Sequence, residues 1–241
     1  MRKLLFLVSP LILGMASLAI GEVSTRVRLA KTKTPIEPNE VNLPIIKYPD
    51  IMVGTKLSII VSSDVNEYWG DGFGNDGGSL AFEEEYWDYG VLLARDCNES
   101  TPDYEGSHFP AAGNEAIVWD WEELGIDGFD LYTGSTGIES GDWFIIDYNA
   151  TSVGICKVGF YDHTISWYDP NYYLMFSHVR TRDFNNDTKV NFVDYAILAS
   201  HWQVTDCDEP NWCEGADLDT DGQVDANDLT LFCKFWLEKT E

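Results

Sequence analysis

Positive charge is what this 241-residue chain has least of. Fifteen Lys and Arg stand against 41 Asp and Glu, a formal net charge of −26. Phosphate backbones are gripped by clustered Lys and Arg, so this balance argues against nucleic acid as a partner. Histidine is as sparse. His108, His163, His178 and His201 are the four, none at metal-ligand spacing from another His or from Cys, and they read as structural. No Gly-x-Ser-x-Gly elbow, phosphate loop or dinucleotide fingerprint occurs. Glycosidases need two facing carboxylates. Glu83-Glu84-Glu85 and Glu122-Glu123 could supply one each, but adjacent acids in a loop read first as a solvated face. The chain is therefore expected to be non-catalytic, with a small glycoside hydrolase acting in polysaccharide catabolism as the enzymatic alternative.

Long apolar runs are also missing after residue 20. Before it, Met1-Arg2-Lys3 forms a positive start to the apolar stretch Leu4 to Ile20, which Pro10 and Gly14 interrupt, and Ala19-Ile20-Gly21 supplies small residues. That is the pattern of a secretory signal peptide over 1–21, cleaved after Gly21; an uncleaved anchor is the alternative. No membrane insertion is expected after its removal, and the mature chain is expected to be extracellular or at a cell surface. Five cysteines then fall in an oxidising compartment. Cys207 and Cys213 bracket a Pro-containing loop and are expected to pair; Cys97 and Cys156 could pair as well; Cys233 is expected to be a buried free thiol.

What the chain does have is aromatic and β-branched sequence. Residues 22–43, with Lys31-Thr32-Lys33-Thr34, Pro35 and Pro38, read as a linker. From Pro44 to about residue 180 short apolar runs alternate with Gly and Asn-Asp turns. Candidate strands are Lys56 to Ser62, Tyr89 to Ala94, Ala116 to Trp121, Trp143 to Tyr148, Ile155 to Asp162 and Tyr173 to Val179. In the fifth, Cys156, Val158 and Phe160 alternate with Ile155, Lys157 and Tyr161, the period of a half-buried strand. Strands at this spacing predict an antiparallel β-sandwich over 44–180; only Glu122-Glu123-Leu124 hints at a helical turn. Trp69, Trp87, Trp119 and Trp121 could stack on sugar if exposed together, though Trp in a sandwich is usually core. The Gly-rich stretch Trp69 to Gly78 could cradle a ligand or a further cation through Asp71, Asn75 and Asp76, but reads first as a flexible loop between strands.

The most informative stretch is the last, residues 181–241, where one twelve-residue acidic loop occurs twice with a short apolar helix after each copy. In the first, Asp183, Asn185, Asp187, Asn191 and Asp194 occupy positions 1, 3, 5, 9 and 12; in the second, Asp217, Asp219, Asp221, Asp225 and Asp228 do. Position 7, where a backbone carbonyl is the ligand, holds Lys189 and Gln223. Ca²⁺ takes six to eight oxygens at about 2.3–2.6 Å, and this spacing supplies them. The copies lie 34 residues apart (Asp183 to Asp217), and the match runs on through Ile197/Leu231, Leu198/Phe232 and Trp202/Trp236. Two bound Ca²⁺ ions are expected. The first loop is the weaker, because Thr188 stands where its twin has Gly222.

Neither loop has an entering helix: Tyr172 to Val179 is β-prone and Cys207 to Cys213 holds Pro and two cysteines. A duplicated loop-plus-exit-helix unit with Asp at position 12 resembles the type I dockerin, the calcium-dependent docking module of cellulosome-like assemblies. The resemblance covers Asp183 to about Leu237. It implies a cohesin-type protein as partner, gripped through loop positions 10 and 11 and a basic pair further along the helix. Here those positions hold Phe192-Val193 and Ala226-Asn227, and the basic pair is replaced by Ala199-Ser200 and Cys233-Lys234. Phe192 and Val193 could equally pack intramolecularly against the sandwich. The runs Ser140 to Tyr148 and Val153 to Asp162 resemble closing strands of cohesin-like or carbohydrate-binding-like sandwiches; the second likeness would imply polysaccharide as a ligand. The fold expected is a mainly β sandwich followed by a small α-helical duplicated calcium module.

Overall fold

A computed structural model describes residues 23–63, 77–83, 86, 89–94, 115–121, 126–132, 141–163, 165–166, 169–208 and 211–238. Its strands are β1 (Val23–Leu29), β2 (Pro35–Ile36), β3 (Glu40–Asn42), β4 (Ile45–Lys47), β5 (Ile51–Met52), β6 (Lys56–Ser63), β7 (Gly78–Glu83), β8 (Gly90–Ala94), β9 (Glu115–Trp121), β10 (Ile126–Tyr132), β11 (Gly141–Ala150), β12 (Gly154–Asp162) and β13 (Tyr172–Val179). Two helices follow, α1 (Phe192–Ser200) and α2 (Ala226–Cys233). The strands form two sheets, one ordered β2-β1-β6-β11-β8 and one ordered β3-β4-β13-β12-β7-β10-β9, with β5 also on β13.

Alternation puts the two sheets face to face. Leu57, Ile59 and Val61 of β6 and Phe144, Ile146 and Tyr148 of β11 meet Cys156, Val158 and Phe160 of β12 and Leu174 and Phe176 of β13, all at most 1 % exposed. Tyr148 of one sheet stacks on Phe176 of the other with ring centroids 4.7 Å apart. Its hydroxyl donates to His178 Nε2 while His178 Nδ1–H donates to the Ser152 carbonyl at 3.0 Å. Burial holds the His178 pKa below its usual value, so the ring bridges the sheets as a neutral group.

Strand order departs from a purely antiparallel sandwich at one edge. β4 and β5 both run parallel to β13, because they are successive short pieces of one segment laid along it, interrupted near Pro49. The expected linker at 22–43 is corrected here. β1 pairs with β6 over seven residues, Val23↔Ser63 to Leu29↔Leu57, and Val23 and Val27 enter the core at 5 % and 3 % exposure. The polar and proline residues that suggested a linker, Lys31 to Pro38, lie beyond β1, and on the strand's other face Arg26 bonds Asp142 of β11.

Two cysteine expectations change as well. Cys156 is a free, fully buried thiol whose burial pushes its pKa up to about 11 against the opposing hydrogen bond of Tyr148; Cys97 lies outside the described residues. Cys233 is free but exposed. Phe232 holds the inward register of α2 at 0 % exposure, and the next residue is rotated about 100° round the helix. The segments 1–21, Trp69 to Asp76, Trp87, His108, Glu84-Glu85 and Glu122-Glu123-Leu124 also lie outside the described residues; of Glu83, Trp119 and Trp121 only the strand positions are described.

Residues 23–29 are thus part of the folded unit. A chain beginning at residue 31 should melt about 10 °C below one beginning at residue 22, since two buried valines and a full strand pairing are lost; equal melting temperatures would restore the linker reading.

Candidate metal centre

Each acidic loop is a closed circuit of side chain-to-backbone hydrogen bonds, built alike at both sites. In the second loop Asp217 Oδ2 accepts from the Gly222 N–H at 3.0 Å, and Asp221 Oδ1 accepts from the Gln223 N–H at 3.0 Å. In the first, Asp183 Oδ1 and Oδ2 accept from the N–H groups of Asp187 and Thr188 at 3.0 and 2.8 Å, and Asp187 Oδ1 accepts from Lys189 at 3.0 Å. Asn185 Oδ1 accepts from the Asp187 N–H, and Asp219 Oδ1 from the Asp221 N–H.

Positions 9 and 12 do double duty as helix caps. Asn191 and Asp225 are the N-caps of α1 and α2, accepting from the N–H groups of Val193 and Asn227 at 2.8 and 2.7 Å. Asp194 and Asp228 complete the capping boxes by accepting from the cap N–H groups at 2.8 and 2.7 Å. Their other oxygens reach back to loop position 2, taking the N–H of Phe184 at 2.8 Å and of Leu218 at 2.6 Å. One carboxylate therefore fixes the helix start and the loop entrance together. The signature Asn-x-x-Asp and Asp-x-x-Asp before an apolar run is the sequence signal of this cap.

Carboxylates are gathered where mutual repulsion should disperse them. Ligand oxygens of Asp183, Asp187 and Asp194 all lie within 4.8 Å of one another, as do those of Asp217, Asp219 and Asp221. Unit charges at that separation repel by about 1 to 4 kcal/mol per pair, depending on local dielectric. Asp194, Asp217 and Asp228 are fully buried and Asp183 is 3 % exposed. Burial and the neighbouring charges of Asp228, Asp221 and Asp217 hold the Asp219 pKa above the ordinary carboxylate range. Asp217 Oδ1 is buried with no hydrogen-bond partner. A solvent-stripped, unpaired carboxylate oxygen beside two more carboxylates fits a hard divalent cation and little else. Of the ligand set named from the sequence, Asp183, Asp187 and Asp194 come together in one cluster and Asp217, Asp219 and Asp221 in the other, while Asp225 and Asp228 sit at the start of α2; Asn185 and Asn191 lie on the rim of the first cluster, with the Lys189 carbonyl 3.5 Å from Asn191 Nδ2.

The two repeats hold each other by exchange. Val190, at position 8 of the first loop, trades backbone bonds with the tail after α2: Leu237 N–H to Val190 O at 2.9 Å and Val190 N–H to Glu238 O at 2.9 Å. Val224, its twin, trades the same bonds with the tail after α1, through Gln203 at 2.8 Å and Val204 at 3.0 Å. Both valines are fully buried. The dyad extends to backbone conformation, with left-handed φ at Gln203 and Leu237 (63° and 66°) and at Asn186 and Thr220 (57° and 60°). Cys207 and Cys213 form the expected disulfide in the connection between repeats.

Comparison with known proteins agrees with this construction. Residues 181–237 match the family described as dockerin type I domain. No curated protein matches the chain significantly. Two solved structures of the second type II cohesin module from the adaptor ScaA scaffoldin of Acetivibrio cellulolyticus are similar at low level. One, which includes a long C-terminal linker, is 9% identical over 64% of this chain and 80% of that chain, TM-score 0.29. The other is 12% identical over 58% and 77%, TM-score 0.25.

Position 6 separates the loops. Thr188 sits at φ 70° and Gly222 at φ 96°. The left-handed region is costly for a β-branched residue and free for Gly. Thr188→Gly should therefore stabilise the chain by about 0.5–1 kcal/mol, and Gly222→Ala should destabilise it by about 1–2 kcal/mol, in equilibrium urea unfolding. Changes of the opposite sign would show that loop strain is not what distinguishes them.

Proposed function

Starting from a C-terminal segment that matches the type I dockerin family, we propose that this chain is a secreted, non-catalytic assembly component. Its module binds two Ca²⁺ ions and docks onto a cohesin-type protein. Asp183, Asn185, Asp187, Asn191 and Asp194 with the Lys189 carbonyl hold one ion. Asp217, Asp219, Asp221, Asp225 and Asp228 with the Gln223 carbonyl hold the other. The setting implied is an extracellular or cell-surface assembly that handles polysaccharide.

The observation that carries the docking reading is the exposure of loop positions 10 and 11. Phe192 is 75 % and Val193 52 % exposed, large apolar side chains left open while the carboxylates beside them are buried. Phe192 touches Trp236 of the second repeat edge-on, centroids 4.9 Å apart, and Leu237 next to it is 70 % exposed. Tyr195 and Trp202 add exposed aromatic surface, and every exposed residue of α1 is uncharged in a chain of net charge −26. A charge-free apolar patch on so acidic a molecule is a protein-contact surface. It also favours an external partner over the intramolecular alternative, since Phe192 and Val193 are exposed rather than packed against the sandwich. By the repeat dyad the matching surface carries Ala226 and Asn227, which offer no ring to bury.

Calcium supplies folding energy here. With dissociation constants near a micromolar, millimolar Ca²⁺ should stabilise the module by about 4 kcal/mol per site over the chelated chain. Asp217→Ala and Asp228→Ala should reduce this more than Asp183→Ala. A melting temperature unchanged by EGTA would remove the metal assignment. Against immobilised type I and type II cohesin modules, the calcium-loaded chain should bind, and Phe192→Ser with Val193→Ser should weaken binding at least about 30-fold. Binding indifferent to that pair, or absent for the parent chain, would end the docking assignment.

A further inference from the structure

The sandwich passes the chain to the first loop without slack. Val179 is the last residue of β13 and Asp183 is loop position 1. Across this short passage the two parts share a core. Met52 of β5, 2 % exposed, belongs to the buried cluster of Val190, Leu198, Val224, Phe232 and Phe235, and Val179 packs on the same cluster. Met52 and Val179 are paired in register, and the Val53 N–H donates to the Val179 carbonyl at 2.9 Å.

Arg182 sits in the joint at 3 % exposure. Its guanidinium lies 4.6 Å from the centroid of the Phe235 ring, and Nη1 donates to the Arg180 carbonyl. A cation is kept this deep only where partners compensate its lost water. Here the Phe235 ring of the module and the Arg180 carbonyl at the exit of β13 flank it, and Nε has no hydrogen-bond partner, so opening the joint removes what holds the charge in place. Arg180 adds a second tie over the Trp212 ring at 5.4 Å. The Glu238 carbonyl is also the acceptor that clasps Val190, which links the joint directly to the first loop.

We propose that the module and the β5–β13 edge of the sandwich form one cooperative unit, so that loading the first loop with calcium locks these strands and fixes the direction in which Phe192 and Val193 face. Met52 and Arg182 are the coupling residues. The module is then a rigid extension of the sandwich, and the partner's orientation relative to the sandwich is set before docking. This rests on the calcium part of the function proposed above.

Hydrogen exchange read by mass spectrometry on the full chain, in millimolar CaCl₂ and in EGTA, tests it. Calcium should slow exchange about tenfold or more in peptides covering both acidic loops and in those covering residues 45–53 and 172–179. In Met52→Ser the loops should keep their response while the strand peptides lose most of theirs; Arg182→Leu, which retains packing on Phe235, gives the same reading if that variant does not fold. Strand peptides indifferent to calcium while the loops respond would overturn the coupling and leave calcium binding intact, as would a full strand response in both variants. Loops that ignore calcium would overturn the metal assignment and the coupling with it.

Discussion

Carboxylate groups held close together and away from water are the constraint from which the C-terminal part of this molecule follows. Asp183, Asp194, Asp217 and Asp228 are buried, and each accepts hydrogen bonds from backbone N–H groups of its own loop. Those bonds set the loop path and start the helices, but they leave like charges adjacent and one oxygen, Asp217 Oδ1, without a partner. Backbone dipoles alone offset part of that cost. On the proposed reading a divalent ion at each loop offsets the rest, and because Asn191, Asp194, Asp225 and Asp228 are then both ligands and helix caps, metal binding and helix formation are a single event.

Duplication turns two weak units into one stable one. A loop with an eight- or nine-residue helix has too little apolar surface to fold alone. Each repeat instead lends its tail to the other's loop through Val190 and Val224, and the helices bury Leu198 and Phe232 in one cluster. The symmetry holds in backbone and breaks in surface: Phe192 has Ala226 as its counterpart, so the dyad leaves one face apolar and the other nearly bare. The sandwich contributes Met52 and Val179 beneath this pair, which removes the freedom a tethered module would have.

How much of this could be read from the chain depended on whether identity or partnership carried the information. The metal loops were legible because each ligand is a side-chain type at a fixed offset, and the six strands placed from periodicity correspond to β6, β8, β9, β11, β12 and β13 within a residue or two. β1 was missed although Val23, Thr25, Val27 and Leu29 alternate with Ser24, Arg26 and Arg28; the prolines beyond it dominated the reading of the whole stretch. β4 and β5 are too short for any period to show. Met52 and Arg182 gave no sign of their role, because burial at a joint depends on what the fold brings opposite, and a lone Met or Arg carries no pattern. Cys233 was placed inside on its register in the exit helix, but the inward position there is held by Phe232, which turns Cys233 out.

The account reduces to a stoichiometry. Mass spectrometry of the intact chain under native conditions, after dialysis against excess calcium, should show two Ca²⁺ per molecule, each displacing two protons, and Asp217→Ala combined with Asp228→Ala should leave one. A parent chain that carries no ion, or that keeps two when both second-loop aspartates are gone, would contradict the assignment on which docking, helix formation and coupling to the sandwich all rest.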